Sequence, residues 1–170
     1  YIVGANGLIQ LTIPIVGGRN QRKPMKDILI DNSDNWQSNH WRTIRSVYGR
    51  SPYFEHYAPE LELMFEQNYE YLADFNISTI QWLKKYLQIK FEITEVDAYQ
   101  KEYVDCNDIR TQQKPKVEHC SIDESQAFYY QMFKERNGFL RNMSVLDLLF
   151  SEGPMSMSMI KQNADVISSW

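Results

Sequence analysis

The stretch NWQSNHWRTIRSVYGRSPYF, residues 35–54, sets one imidazole, His40, among three guanidinium groups, Arg42, Arg45 and Arg50, with the phenol of Tyr48 close behind. Histidine exchanges a proton near neutral pH and so suits a general acid or base, while arginine forks suit phosphate or carboxylate. A histidine beside a core is more often structural than catalytic, and most arginines are solvated surface. His40 therefore needs companions, and the arginines are the candidates.

Three other clusters have chemistry within reach. The loop VGGRNQRKP gathers Arg19, Asn20, Arg22 and Lys23 next to glycines that could let amides and cations converge on an anion, but it lacks the spacing of a P-loop. A flexible basic loop is its plainer reading. The segment CNDIR sets Asp108 two residues from Arg110, which as a surface ion pair would contribute little. Asp147 and Glu152 flank LLF ahead of Gly153, where a helix also needs a polar face. No H-E-x-x-H, G-x-S-x-G or dinucleotide fingerprint occurs, the sequence has no metal-ligand spacing, and no cofactor can be named from it.

Several elements must position these groups. Asn6-Gly7 between strand-like runs predicts an opening β-hairpin, and MKDILID alternates as a third strand antiparallel to the second. Ser33 or Asp34 is expected to cap a helix that runs to Tyr48 and stops at Gly49. On that helix Trp36, His40, Ile44 and Val47 share one stripe, and Trp41, Arg45 and Tyr48 an adjacent one. Trp36 and Ile44 are expected to be buried, and Arg42 exposed, because an unpaired guanidinium is costly to desolvate.

Further helices are expected near 53–57, from Pro59 at a first turn to about 73, over 78–87, in AFYYQMFKERNGF up to Asn137-Gly138, in SVLDLLF and in MSMSMIKQ. KFEITEV reads as a fourth strand, and residues 97–125 as a long irregular stretch. Three strands followed by a run of helices, with no repeating βαβ rhythm, predict an α+β fold: a small, mainly antiparallel sheet packed with several helices.

The chain's 170 residues suit one domain over 1–170. Its formal net charge of -4 argues against a nucleic acid as partner, and it holds no apolar run long enough to span a membrane and no secretory leader. Cys106 and Cys120 show no C-x-x-C spacing, so neither a disulfide framework nor a zinc site is expected, and a reducing cytosol fits best. Aromatic residues at 14% exceed the needs of an ordinary core and suit the wall of a small-molecule site, although core packing is the commoner use of such rings.

Four blocks together, GANGLIQLTIPIVGGRN, PMKDILIDNSDNWQSNHWRTIRSVYGRSPYF, AFYYQMFKERNGFL and SVLDLLFSEGP, resemble the WbqC-like protein family in their order. The family's tryptophan, histidine, isoleucine, tyrosine and proline-aromatic pattern falls on Trp36, His40, Ile44, Tyr48, Pro52 and Tyr53. Its later blocks fall on Tyr130, Gln131 and Phe133, and on Asp147 to Phe150, Gly153 and Pro154. The family takes its name from a protein encoded among genes for lipopolysaccharide O-antigen synthesis, so the resemblance implies a role in making surface polysaccharide. Members usually carry a further N-terminal segment, which makes this chain, beginning at Tyr1, an expected fragment.

The resemblance suggests two classes of function. One is a transferase acting on an amino sugar, a sugar nucleotide or an acyl donor, with His40 as proton-transfer residue and Arg45, Tyr48, Asp108, Arg110, Tyr130 and Gln131 binding a sugar or acyl-type ligand. The other is a non-catalytic binding or scaffold protein of the same pathway. An enzyme is expected to gather His40, Tyr48 and a group from DIR or YYQ around one polar, aromatic-lined cleft; a scaffold would disperse them.

Overall fold

A two-residue turn, Ala5-Asn6, joins strands β1 (Ile2–Gly4) and β2 (Gly7–Ile9) in an antiparallel hairpin with Gly4 opposite Gly7. The turn falls one residue earlier than the Asn-Gly pair implies, and the positive φ falls on Gly7, at 105°. The computed structural model describes residues 1–18, 20–94, 96, 101 and 128–164.

The expected third strand is only partly formed. Pro24 leads Met25–Asp27 into a 3-10 turn, after which Ile30 bridges Ile15 and Leu29 bridges Tyr71, both antiparallel. Backbone bonds from Val16 N to Leu29 O (3.0 Å) and from Ile30 N to Glu70 O (2.9 Å) lace this segment between two neighbours without extending into a ladder. The sheet thus remains the hairpin, and helices supply most of the core, as an α+β chain requires.

Helix α1 (Trp36–Tyr48) buries Trp36, Trp41, Ile44, Val47 and Tyr48, while Arg42 and Arg45 face solvent, as the 3.6-residue period demands. It ends where Gly49 N donates to Arg45 O at 2.9 Å, and a Cβ at Gly49 would stand 2.5 Å from that oxygen. Asn35, rather than Ser33 or Asp34, occupies the cap, with no side-chain hydrogen bond.

Helix α2 (Phe54–Glu66) runs straight through Pro59, where the sequence suggests a break. Proline in a helix interior costs about 3 kcal/mol, but Phe54, Tyr57, Ala58, Leu61 and Met64 form a buried stripe across it, at about 1.5–3 kcal/mol for each large side chain. Burial outweighs the missing bond. Helix α3 (Leu72–Tyr86) starts well before the expected residue 78, once Leu72 N has bonded to Ile28 O at 2.9 Å.

Of the expected fourth strand, residues 90–96, the described residues 90–94 and 96 pair with no strand among the described residues and are exposed. A strand without a partner gains nothing from its β propensity. Helix α4 is confined to Lys134–Asn137, and residues 128–132, expected to belong to it, are not helical. Helix α5 (Val145–Glu152) is capped by Ser144, whose side chain accepts from Leu146 N, and α6 (Ser156–Gln162) follows the 3-10 turn Gly153–Met155. Asn137 Nδ2 donates to Gly4 O at 3.0 Å and Ser144 N to Tyr1 O at 2.8 Å, which fastens this last part of the chain to the hairpin.

Candidate functional site

His40 sits half-buried on α1, one turn after Trp36, with its ring edge-on to Trp36 at 5.2 Å and to Phe65 at 6.4 Å. Burial pushes its pKa below the usual value of 6.5, and a hydrogen bond to the backbone of Thr12 opposes that shift. The imidazole is therefore neutral at pH 7, with a ring nitrogen able to accept a proton.

Two spaces meet at this side chain. Outward lies a polar groove of about 650 Å³ lined by Thr12, Pro14, Asp34, Asn35, Trp36, Asn39, His40 and Arg42. Inward lies an apolar cavity of about 230 Å³ between α1, α2, α3 and the start of α5, reached also by Leu11 and Ile13. Arg42 is held on the groove by its own helix: its guanidinium donates to Asn39 Oδ1 at 2.7 Å and to Ser38 O at 3.2 Å. A sugar hydroxyl or an anionic group in the groove would meet amides, one cation, one carboxylate and a neutral imidazole within one strip of surface.

Tyr48 and Gln131 belong to a different place. Tyr48 is fully buried, and its hydroxyl has no partner in hydrogen-bonding geometry; burial first, and then the nearby Asp147 charge, raise its pKa far above the usual phenol value. Asp147, also buried, accepts from Tyr129 Oη at 2.9 Å, and Gln131 Nε2 donates to that same Oη at 2.8 Å. Burial pushes the Asp147 carboxyl up, against the hydrogen bond from Tyr129 and the nearby polar hydrogens of Tyr48 and Gln131, which pull it down. These groups hold one another, and neither Tyr48 nor Gln131 lines the groove or the cavity at His40.

This network also explains why residues 128–132 are not helical. Gln131 must turn inward to pair with Leu140, and Tyr129 with Asp147, and a continuous helix could not direct both side chains there with the backbone of Leu140 alongside. Tyr130 points the other way: it is 56% exposed, and its backbone N donates to Glu152 Oε1 at 3.0 Å. Arg45 is exposed on α1, and Asp108 and Arg110 lie outside the described residues, as do Cys106 and Cys120.

The groove adds residues that sequence reasoning passed over: Thr12, Asp34, Asn35 and Asn39. Asn39 next to His40 carried a signal; Thr12 comes from a segment whose approach to α1 no local pattern reveals. Trp82, on α3, was read only as part of a helix, yet its buried Nε1 has no hydrogen-bond partner and it lines the inner cavity.

The segment that carries His40, Trp36 and the groove lies within the region matched by a family model, that of the WbqC-like protein family, over residues 1–120. The chain belongs to the WbqC-like protein family. The match includes the hairpin, α1, α2 and α3 and ends before the blocks around Gln131 and Asp147, on which the resemblance was also read. No curated protein and no solved structure matches this WbqC-like chain. Among its described residues no helix is long and apolar enough to cross a membrane, and no three His, Cys, Asp or Glu side chains gather as a metal site.

Proposed function

We propose that this WbqC-like chain is a transferase of surface-polysaccharide synthesis, of the lipopolysaccharide O-antigen kind, that acts on an amino sugar or sugar nucleotide held in the groove along α1. The observation that carries the reading is the position of His40, a neutral imidazole between a polar groove and an apolar cavity. A general base needs that protonation state and access to a substrate proton. Asn35, Asn39 and Arg42 would hold hydroxyl or phosphate groups of the substrate, and the family resemblance adds Arg45, Asp108, Arg110 and Tyr130 as binding groups. Tyr48 and Gln131 enter the reading as supports that keep the elements around the site in register.

Thermal-shift screening of amino sugars and sugar nucleotides against the wild type and His40→Ala tests the reading, since a ligand of the native state raises its melting temperature. A ligand that stabilises the wild type but not the variant, with the unliganded variant melting near the wild type, is the expected result. Equal stabilisation of both would remove His40 from the site, and no stabilisation by any sugar would favour the scaffold function.

A further inference from the structure

Arg42 stands between two hollows along α1. Toward the start of the helix lies the polar groove at His40; toward its end lies a second hollow of about 480 Å³ that reaches strand β2 at Ile9. Asn39 and Arg42 line both. The second hollow differs in character, because Ile9 and Val47 give it apolar walls while Thr43 and Ser46 set hydroxyls beside them. Thr43 Oγ1 donates to Asn39 O at 2.7 Å and so faces a ligand as an acceptor, and Ser46 is exposed.

The guanidinium at the join is already in place. Its bonds to Ser38 O and Asn39 Oδ1 hold a side chain that a ligand would otherwise have to order, and these two bonds do not exhaust its N–H donors. The planar fork fits the paired oxygens of a phosphate.

Shape and charge together narrow the ligand. At about 650 Å³ and 480 Å³, each hollow has the volume of an ordinary small-molecule site, so a ligand that fills both has two bulky parts, and the cation between them calls for an anionic link. Asp34 sets the direction: its carboxylate repels phosphate from the far end of the groove, which leaves the part without phosphate against Asp34 and His40. The second hollow suits a nucleoside, with its base on Ile9 and Val47 and its ribose hydroxyls at Thr43 and Ser46. A bare phosphate would leave those apolar walls unused, and a lipid tail would leave the hydroxyls unused.

We propose that the substrate is a nucleoside diphosphate sugar laid along α1, with its sugar in the groove at His40, its diphosphate on Arg42 and its nucleoside in the hollow between α1 and β2. This rests on the transferase reading above and names the linked form of its substrate.

Titration calorimetry on the full chain, with UDP, GDP, dTDP, UDP-N-acetylglucosamine, free N-acetylglucosamine and inorganic pyrophosphate, tests it. At least one nucleoside diphosphate is expected to bind more tightly than pyrophosphate, and a nucleotide-linked sugar more tightly than the free one. Arg42→Ala should weaken the nucleotides about tenfold, the worth of a charged hydrogen bond at an exposed site, and leave the free sugar unchanged. Ser46→Trp, at an exposed position, fills the second hollow and should weaken the nucleotides but neither pyrophosphate nor the free sugar. Absence of nucleotide binding, nucleotide binding unaffected by either variant, or pyrophosphate binding as tight as that of every nucleotide overturns the proposal, the last by reducing Arg42 to an anion site. If free sugars stabilise the protein through His40 while no nucleotide binds, the linked substrate is wrong and the groove stands; if nucleotides bind across Arg42 while His40→Ala changes the response to no sugar, the linked substrate stands and the role of His40 is wrong.

Discussion

Gln131 holds the backbone of Leu140 at both of its polar groups, accepting from Leu140 N at 2.8 Å on Oε1 and donating to Leu140 O at 2.8 Å from Nε2. The side chain imitates a strand partner. With Tyr129 Oη as a third partner at 2.8 Å, the buried amide is satisfied from both ends. Gln131→Ala would leave two buried backbone groups unpaired, and a loss of about 2–4 kcal/mol in urea unfolding is expected, with no specific effect on ligand binding at His40 beyond that loss.

Asp147 is the buried titratable partner of this clasp. Because its folded pKa is raised above the ordinary 3.8, its contribution to stability is fully present below that value and is lost as pH rises through the folded pKa. Asp147→Asn keeps an acceptor for Tyr129 Oη without the charge. The variant should match the wild type near the acid end and gain on it toward neutral pH. Asp147→Leu, which leaves Tyr129 without an acceptor, should lose about 1–3 kcal/mol near the acid end, and the deficit should shrink toward neutral pH as the wild type loses its own contribution.

His40 has the opposite sign. A folded pKa below the ordinary 6.5 gives stability that is present above that value and lost as pH falls through the folded pKa, since the unfolded chain binds the proton more readily. Melting temperatures measured from pH 7.5 down to about pH 5 should fall more for the wild type than for His40→Phe, which keeps a ring against Trp36. A constant difference between the two curves would show that His40 keeps its ordinary titration.

Gly153 adopts φ 55°, and a Cβ there would lie 2.4 Å from Cδ1 of Tyr53. Strain and overlap together predict a cost of about 3 kcal/mol or more for Gly153→Ala by thermal unfolding. Placing the same change in a Tyr53→Ala background removes the overlap, so the increment there should shrink to the backbone penalty of about 1–3 kcal/mol.

What could be read from the sequence was local. The burial of Trp36, Ile44 and Val47 and the exposure of Arg42 follow from a period of 3.6 residues and the cost of desolvating a guanidinium, and the structure shows both. Gly49 ends α1 and Gly138 ends α4 as sequence position alone implies, and a helix does form in SVLDLLF. Where long-range packing competes with local preference, the reading departs from the structure: Pro59 does not divide α2, and residues 128–132 give up helical bonds for the clasp on Leu140.

Family membership, the α+β class and the face of α1 that carries His40 were all legible in the order of the residues, because periodicity, glycine and proline placement and motif order are properties of neighbours along the chain. The folded chain was needed to show that Tyr48 and Gln131 enclose Asp147, away from His40, and that His40 divides a polar groove from an apolar cavity. Both depend on which segments distant in sequence come into contact. Thr12, His40, Thr79 and Val145 stand on four separate segments around one helix, and only the summed burial of their neighbours brings them there.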